Sequence, residues 1–144
     1  MSKRILVPVD ESDRATDAFE FTLEEFPEAT IIAFHVIDPA DFYAATGFEG
    51  GAMVNYDEIR ERHEDRGEAL LEKLATQADD AGVDCETELA IGSVSRSILE
   101  YTEDDTVDQI VIGSHGRTGA SRILLGSVAE SVARRSPVPV TIVR

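Results

Sequence analysis

The sequence has few of the features that would tie it to an oxidising compartment or a membrane. Among its 144 residues the only cysteine is Cys85, so an internal disulfide is impossible, and a domain of this length needs none. No apolar run approaches the roughly 20 residues of a membrane helix. The run from Ile5 to Val9 is too short for the core of a signal peptide. We therefore expect one soluble, cytoplasmic domain over residues 1–144.

Basic residues are also scarce. The chain carries 13 bases against 29 acids, a formal charge of −16, and its only lysines are Lys3 and Lys73. This balance disfavours binding to nucleic acid or to an anionic membrane. An acidic, lysine-poor surface resembles that of proteins from salt-loving organisms, where salt screens the mutual repulsion of the acids. An ordinary acidic cytosolic protein is the alternative, and composition leaves both open.

Several well-known nucleotide and catalytic motifs are missing. There is no G-x-x-x-x-G-K-[ST] phosphate loop and no G-x-G-x-x-G after the first apolar run. A phosphoryl-receiver domain needs an aspartate after its third strand and a lysine after its fifth, but this chain has Ala90-Ile91-Gly92 and Arg144 there. No zinc-type cluster and no serine–histidine–acid set follows from the spacing. The sequence thus indicates no catalytic residue and no metal site built from side chains.

What the chain does contain is a regular alternation of strand and helix patterns. Apolar, β-branched runs predict strands over 4–9, 30–37, 83–90, 107–112 and 138–143. Helical spacing predicts helices after a Ser12 cap up to Pro27, from an Asn55–Glu58 capping pair to Gly82, over 94–103 and over 128–135. Strands that alternate with helices predict an α/β fold, with one parallel sheet and helices on both faces.

Two segments differ from the fully buried pattern. The strand over 83–90 alternates apolar and acidic residues, which is typical of an edge strand with one wet face. Residues 38–53 show no clear period. A loop of that length is unusual in a compact domain, so we expect either a lid or a mobile connection.

A glycine-punctuated segment follows the fourth predicted strand. Gly113, Gly116 and Gly126 lead into a helix that begins near Ser127 and Val128. Glycines let the backbone approach an anion closely, and the first N–H groups of a helix have no internal partner. They also lie at the positive end of the helix dipole. The segment therefore predicts a cradle for nucleotide phosphates.

Each candidate in this segment has a plainer alternative. Ser127 with Glu130 forms a sound capping box that needs no ligand. Arg117, together with His115 and Arg122, is suited to steering a polyphosphate, but these bases are equally suited to pairing with the abundant acids.

Polar residues at two other strand ends are further candidates. Asp10 follows the first strand and either makes a turn or accepts hydrogen bonds from ribose hydroxyls or an adenine amino group. His35 lies inside an apolar strand, where a satisfied core histidine is favoured over a ligand or a base. In parallel sheets ligands bind beyond the carboxyl ends of the strands, so Asp10, Val36 and Gly113 should converge on one crevice.

The pattern G-x2-G-x9-G-[ST], met by Gly113, Gly116, Gly126 and Ser127, resembles the ATP-binding signature of the universal stress protein family. The resemblance extends over nearly the whole chain. It includes the segments 5–10, 34–39, 107–113 and 137–140.

This resemblance implies a sheet of order 3-2-1-4-5 and an ATP site. Asp10 would contact the adenosine, the Val36 backbone the adenine edge and Gly113 the ribose. Gly116, Gly126, Ser127 and Val128 would bind phosphates through backbone N–H groups and the serine hydroxyl. The full set of implied nucleotide-binding residues is Val9, Asp10, Ser12, Val36, Ile112, Gly113, Gly116, Arg117, Gly126, Ser127 and Val128.

The resemblance also bears on assembly and activity. It implies a homodimer through the strand over 138–143, whose edge would otherwise need covering. Glu11 departs from the family pattern and adds a negative charge beside the crevice, which Mg²⁺ bridging would relieve. We expect an ATP-binding regulatory module in the stress response. The alternatives are a slow ATPase or phosphotransferase, and a dimerisation or chaperone-like module without a nucleotide.

Overall fold

The apolar runs form a single parallel sheet, seen in a computed structural model that describes residues 2–42, 56–104, 106–114 and 125–144. The strands are β1 (Arg4–Pro8), β2 (Thr30–Ile37), β3 (Asp84–Ile91), β4 (Gln109–Gly113) and β5 (Val140–Val143). The helices that pack on this sheet are α1 (Asp13–Glu25), α2 (Tyr56–Asp80), α3 (Val94–Asp104) and α4 (Ser127–Arg135). The predicted alternation of strands and helices is confirmed.

The strand order is β3-β2-β1-β4-β5, and every neighbouring pair is parallel. The chain builds outward from β1 to β3 and then returns to the other side of β1 to form β4 and β5. The order therefore reverses between β1 and β4, and a crevice opens beyond the carboxyl ends of these strands. The predicted order is confirmed, and β3 is an edge strand of the described sheet as its alternating pattern indicates.

Two apolar clusters cover the two faces of the sheet. Ile5 and Val7 of β1 pack with Phe19 of α1 and Leu71 of α2 on one face. Leu6 packs with residues of α3 and α4 on the other face. Because neighbouring residues of a strand point to opposite faces, one apolar run supplies both clusters. Helices therefore lie on both faces, as predicted.

The ends of the first two long helices follow from local chemistry. The Ser12 hydroxyl caps α1 by accepting a hydrogen bond from the Ala15 N–H at 3.2 Å, and the helix ends before Pro27. Helix α2 ends just before Gly82, which has a φ of 73° that favours glycine. Asn55, of the predicted capping pair, lies outside the described residues. None of the described helices combines the length and apolarity needed to cross a bilayer.

Four predictions about local structure need correction. Strand β4 begins at Gln109 rather than at residue 107. Strand β5 begins at Val140 rather than at residue 138, since proline has no N–H to donate to a ladder. Strand β1 ends at Pro8, one residue before the predicted end.

The fourth correction concerns the predicted loop over 38–53. Its first residues make an ordered turn, in which the N–H groups of Asp41 and Phe42 donate to the carbonyls of Asp38 and Pro39 at 2.9 and 3.0 Å. The Phe42 side chain is only 1% exposed. Residues 43–53 lie outside the described part of the chain, so the expectation of a lid or mobile loop stays a prediction.

Candidate functional site

A cavity of about 510 Å³ lies beyond the carboxyl ends of β1, β2 and β4, where the strand order reverses. Among the described residues, nine of the predicted nucleotide-binding residues line it. They are Val9, Asp10, Ser12, Val36, Ile112, Gly113, Gly126, Ser127 and Val128. Gly116 and Arg117 lie outside the described residues. The structure thus brings together side chains and backbone from four elements that are distant in sequence.

The Asp10 carboxylate is part of a turn and also lines the cavity. Its Oδ1 accepts a hydrogen bond from the Ser12 N–H at 2.8 Å. Asp10 therefore makes the turn, and this role does not exclude the other one considered, that of a hydrogen-bond acceptor for a ligand. Within the described ranges Oδ2 accepts no hydrogen bond, so one oxygen fixes the turn while the second is available to a ligand.

In the described part of the chain, Val9 is bonded to the β2 main chain through its N–H only. Its N–H donates to the Phe34 carbonyl at 2.8 Å, but its carbonyl lies 2.7 Å from His35 Nδ1. A carbonyl can only accept, so Nδ1 carries the proton and donates. His35 is therefore a satisfied, half-buried histidine, as predicted, and it also forms part of the cavity wall.

Gly113 is required by packing. A Cβ atom at this position would lie 2.7 Å from the Arg14 carbonyl oxygen and 2.8 Å from its carbon. Backbone atoms of α1 cannot yield as the tip of a flexible side chain can, so only glycine fits at the end of β4. A contact between Gly113 and a ribose stays a prediction.

The predicted capping box at the start of α4 is wrong. The N-cap residue is Gly126, one position earlier than predicted, and no side chain caps the helix. Glu130 pairs with Arg134 at 3.0 Å instead of folding back. The N–H groups of Ser127, Val128 and Ala129 form the first turn and have no partner within the helix. All three residues line the cavity.

The Gly126 N–H already has a partner within the protein, so a contact between Gly126 and a phosphate stays a prediction. This N–H donates to the Ser114 carbonyl at 2.8 Å. Ser114 is itself fixed to the sheet, because its N–H donates to the Val143 carbonyl at 2.8 Å. The bond therefore holds the start of α4 at the end of β4, which positions the donors of the following turn at the cavity.

Sequence reasoning missed the contribution of α2 and of the turn after β2. Asp41, His63 and Arg66 line the cavity as well. Arg66 donates to the Glu11 carboxylate at 2.6 Å, so the negative charge expected at the crevice is paired. No sequence signal pointed to this pair, because its members lie 55 residues apart and only the packing of α2 brings them together.

Metal binding by side chains alone has no support in the described ranges. These ranges contain no group of three or more histidine, cysteine, aspartate or glutamate side chains placed to hold a metal ion. Asp10, Glu11 and Asp41 are the carboxylates that line the cavity within the same ranges.

Two pKa shifts concern β3, away from this cavity. Hydrogen bonds from the Arg4 guanidinium lower the pKa of Glu86, while burial raises the pKa of the Cys85 thiol. A raised pKa keeps the thiol protonated and weakly nucleophilic.

Comparison with known proteins shows to which family the chain is similar. The family model described as the universal stress protein family matches residues 1–144. The universal stress protein MJ0531 of Methanocaldococcus jannaschii is 34% identical over 145 residues, which cover 99% of this chain and 82% of that protein.

Solved structures with the same fold extend the comparison. The structure of MJ0577, a universal stress protein of the same organism, matches with a TM-score of 0.84 at 29% identity. The match covers 99% of this chain and 96% of that one. A universal stress protein of Arabidopsis thaliana with AMP bound shares the fold, with a TM-score of 0.70 at 19% identity over 98% of this chain and 90% of that one.

Proposed function

Since the chain belongs to the universal stress protein family, we propose that its cavity binds an adenine nucleotide, with ATP as the principal ligand. The observation that carries the proposal is the meeting of the uncapped first turn of α4 with the Asp10 carboxylate in one cavity. The bound nucleotide would alter contacts with a second subunit or with a partner protein in the stress response. This assigns the protein a regulatory role.

The cavity has the size and lining that a nucleotide requires. Small-molecule sites typically enclose about 300–1,000 Å³, with apolar walls and a few polar groups. Here Val9, Val36 and Ile112 supply apolar wall, and Asp10 supplies an acceptor. A flat, weakly polar base fits such a wall, and its ribose or amino donors fit the Asp10 carboxylate.

The phosphates would bind at the start of α4. Free N–H groups and the positive end of the helix dipole both favour an anion there. The Ser127 hydroxyl adds one donor. Because Asp10 adds a carboxylate to the cavity beside the Glu11–Arg66 pair, Mg²⁺ bound between phosphate oxygens and this carboxylate would lower the repulsion.

The fold itself is compatible with this ligand class. The Arabidopsis thaliana protein of the same fold was solved with AMP bound. Its identity of 19% carries no residue roles to this chain, so the proposal rests on the cavity described above.

Isothermal titration calorimetry with ATP, ADP and AMP, with and without MgCl₂, tests the proposal. Ser127→Pro and Ser127→Ala form a matched pair. Both remove the hydroxyl, but only proline also removes the N–H, and proline is favoured at the first position of a helix. Gly126 has φ −64° and ψ 153°, which suits a residue before proline.

We expect Ser127→Ala to weaken ATP binding several-fold and Ser127→Pro to weaken it by about a further tenfold, which corresponds to one charge-assisted hydrogen bond. Both variants should unfold at urea concentrations close to that of the unaltered protein. Absence of heat with every nucleotide would overturn the proposal and favour a dimerisation module. Steady phosphate release from ATP that stops in Ser127→Pro would instead identify a slow ATPase.

A further inference from the structure

We infer that His35 is a positioning residue of this site. Its side chain bonds to the Val9 carbonyl, so the main-chain groups of Val36 are left to bind the ligand. The inference rests on the proposed nucleotide function and explains why the main-chain N–H and C=O of Val36 are available to bind the edge of the base. Its starting point is the hydrogen bond between His35 Nδ1 and the Val9 carbonyl, 2.7 Å long.

The direction of the β2 main chain follows from its hydrogen bonds. The Thr30 N–H donates to the Lys3 carbonyl, and the Phe34 carbonyl accepts from the Val9 N–H, both at 2.8 Å. Even-numbered residues of β2 thus direct their N–H and C=O groups toward β1. The Ile37 carbonyl accepts from the Gly92 N–H on the opposite side of the strand. Val36 therefore directs both of its main-chain groups toward β1.

In a continued ladder the Val9 N–H would donate to the Phe34 carbonyl, as it does, and the Val9 carbonyl would accept from the N–H two residues further along β2, which is that of Val36. The described β1–β2 register instead ends at Pro8 opposite Phe34. The Val9 carbonyl has turned to the His35 imidazole. Val9 is only 6% exposed, so its carbonyl needs a donor within the protein, and His35 supplies it.

The His35 ring is held in place from the side of α2. A Cβ atom at Gly67 would lie 2.8 Å from His35 Cδ2, so the ring packs directly against the helix backbone. Leu89 of β3 closes the same space, with its Cδ1 2.9 Å from that Cβ position. The imidazole is thus packed between α2 and β3, with Nδ1 at the Val9 carbonyl.

The consequence is a donor and an acceptor side by side on the cavity wall, at Val36. The edge of adenine presents an amino donor beside the N1 acceptor and matches this pair. Hypoxanthine presents a carbonyl oxygen beside an N1–H and reverses both groups. A site whose polar groups pair with one base rejects the other, because the mismatched groups stay desolvated and unpaired.

Two substitutions of equal shape separate the hydrogen bond from the packing. His35→Asn keeps an N–H close to the position of Nδ1, whereas His35→Leu has nearly the same shape as asparagine and no donor. We expect His35→Asn to bind AMP within about threefold of the unaltered protein and His35→Leu to bind it about tenfold more weakly. In His35→Leu the Val9 carbonyl captures the Val36 N–H, so the preference for AMP over IMP should fall in parallel.

A purely structural role for His35 predicts a different result. AMP and IMP binding would then weaken by the same factor, and His35→Asn would behave like His35→Leu. Either result would overturn the inference.

Amide hydrogen exchange of the unliganded, unaltered protein gives a test that requires neither a variant nor a nucleotide. The Val36 amide should exchange much faster than the Phe34 amide, which faces the ladder with β1. Equal protection of both amides would overturn the inference even if AMP binds. If no nucleotide binds but Val36 exchanges fast, the proposed function fails while the role of His35 in releasing the main chain stands.

Discussion

Arg4 shows how a single side chain can join strands that are not neighbours. Its guanidinium donates to both carboxylate oxygens of Glu86, at 2.9 and 3.1 Å, across the intervening strand β2. Its Nε donates to the Thr106 carbonyl at 2.8 Å, and its main-chain N–H donates to the Asp108 carboxylate at the same distance. Arg4 therefore ties β1 to β3 and to the segment before β4, at the end of the sheet opposite the cavity.

This contact predicts a pH-dependent contribution to stability. The Arg4 hydrogen bonds lower the pKa of Glu86, so the stabilisation is present above the ordinary glutamate pKa of about 4.3 and is lost as pH falls through the lower folded-state value. Because Glu86 is 52% exposed, we expect Glu86→Gln to cost only about 0.5 kcal/mol at pH 7. Urea unfolding at pH 7 and pH 3 measures the difference, which should vanish at the lower pH.

Glu88 offers the matched control for this experiment. It lies two residues further along β3, is exposed and makes no ion pair within the described ranges. Glu88→Gln should leave stability unchanged at both pH values. If the two variants behave alike, the Arg4–Glu86 contact contributes nothing measurable.

Gly67 decides how α2 packs on the sheet. Glycine within a helix costs up to about 1 kcal/mol relative to alanine. Here it lies in the buried stripe of α2, opposite His35 and Leu89. Glycine is thus present at this position of the helix because the His35 ring occupies the space that a side chain at residue 67 would need.

We expect Gly67→Ala to destabilise the protein by about 1 kcal/mol net, since the overlap outweighs the gain in helix propensity. The added methyl group should also displace the His35 ring and weaken AMP binding. Thr76→Ala, at an exposed position of the same helix, is the control for propensity alone. Urea unfolding and calorimetry measure both effects, and a more stable Gly67→Ala variant would show that the ring can move aside.

The molecule as a whole combines a net charge of −16 with an edge strand that is half-buried along its length. Strand β5 pairs with β4 on one side only in the described sheet, and Val140, Thr141, Ile142 and Val143 are all intermediate in exposure. Such an edge is suited to pairing with a second copy. The homodimer through this strand stays a prediction, as does the salt-loving source suggested by the acidic composition.

The geometry of β5 gives that prediction a specific test. The Val143 carbonyl accepts from the Ser114 N–H, and the Pro139 carbonyl from the Ile110 N–H, so odd-numbered residues face β4. The Ile142 N–H therefore points to the open edge. Ile142→Pro should abolish the dimer, while Ile142→Ala, which also shortens the side chain but keeps the N–H, should retain it. Light scattering coupled to size exclusion gives the mass, and a monomeric unaltered protein would contradict the prediction.

Local patterns were enough to predict the strands, the helices and most of their limits, because burial periodicity and capping act over a few residues. Ser12 begins α1 as a capping residue, and Gly82 ends α2 because it adopts a positive φ; both residue types are visible in the sequence. The convergence of Asp10, Val36 and Gly113 on one crevice also followed, since parallel strands place their carboxyl ends together. The start of β5 was misplaced although its cause, the missing N–H of Pro139, is visible in the chain, whereas the end of β1 depends on the bond between the Val9 carbonyl and His35.

Contacts between distant segments required the folded chain. The Glu11–Arg66 pair, the bond from the Gly126 N–H to the Ser114 carbonyl and the capture of the Val9 carbonyl by His35 each join elements that only packing brings together. Each of them needs a donor–acceptor distance that is right to within about a few tenths of an ångström, and no residue pattern specifies distances so finely. Composition and periodicity thus decide which elements form and at which end of the sheet a site lies. Tertiary packing decides which donors and acceptors at that site remain free to bind a ligand.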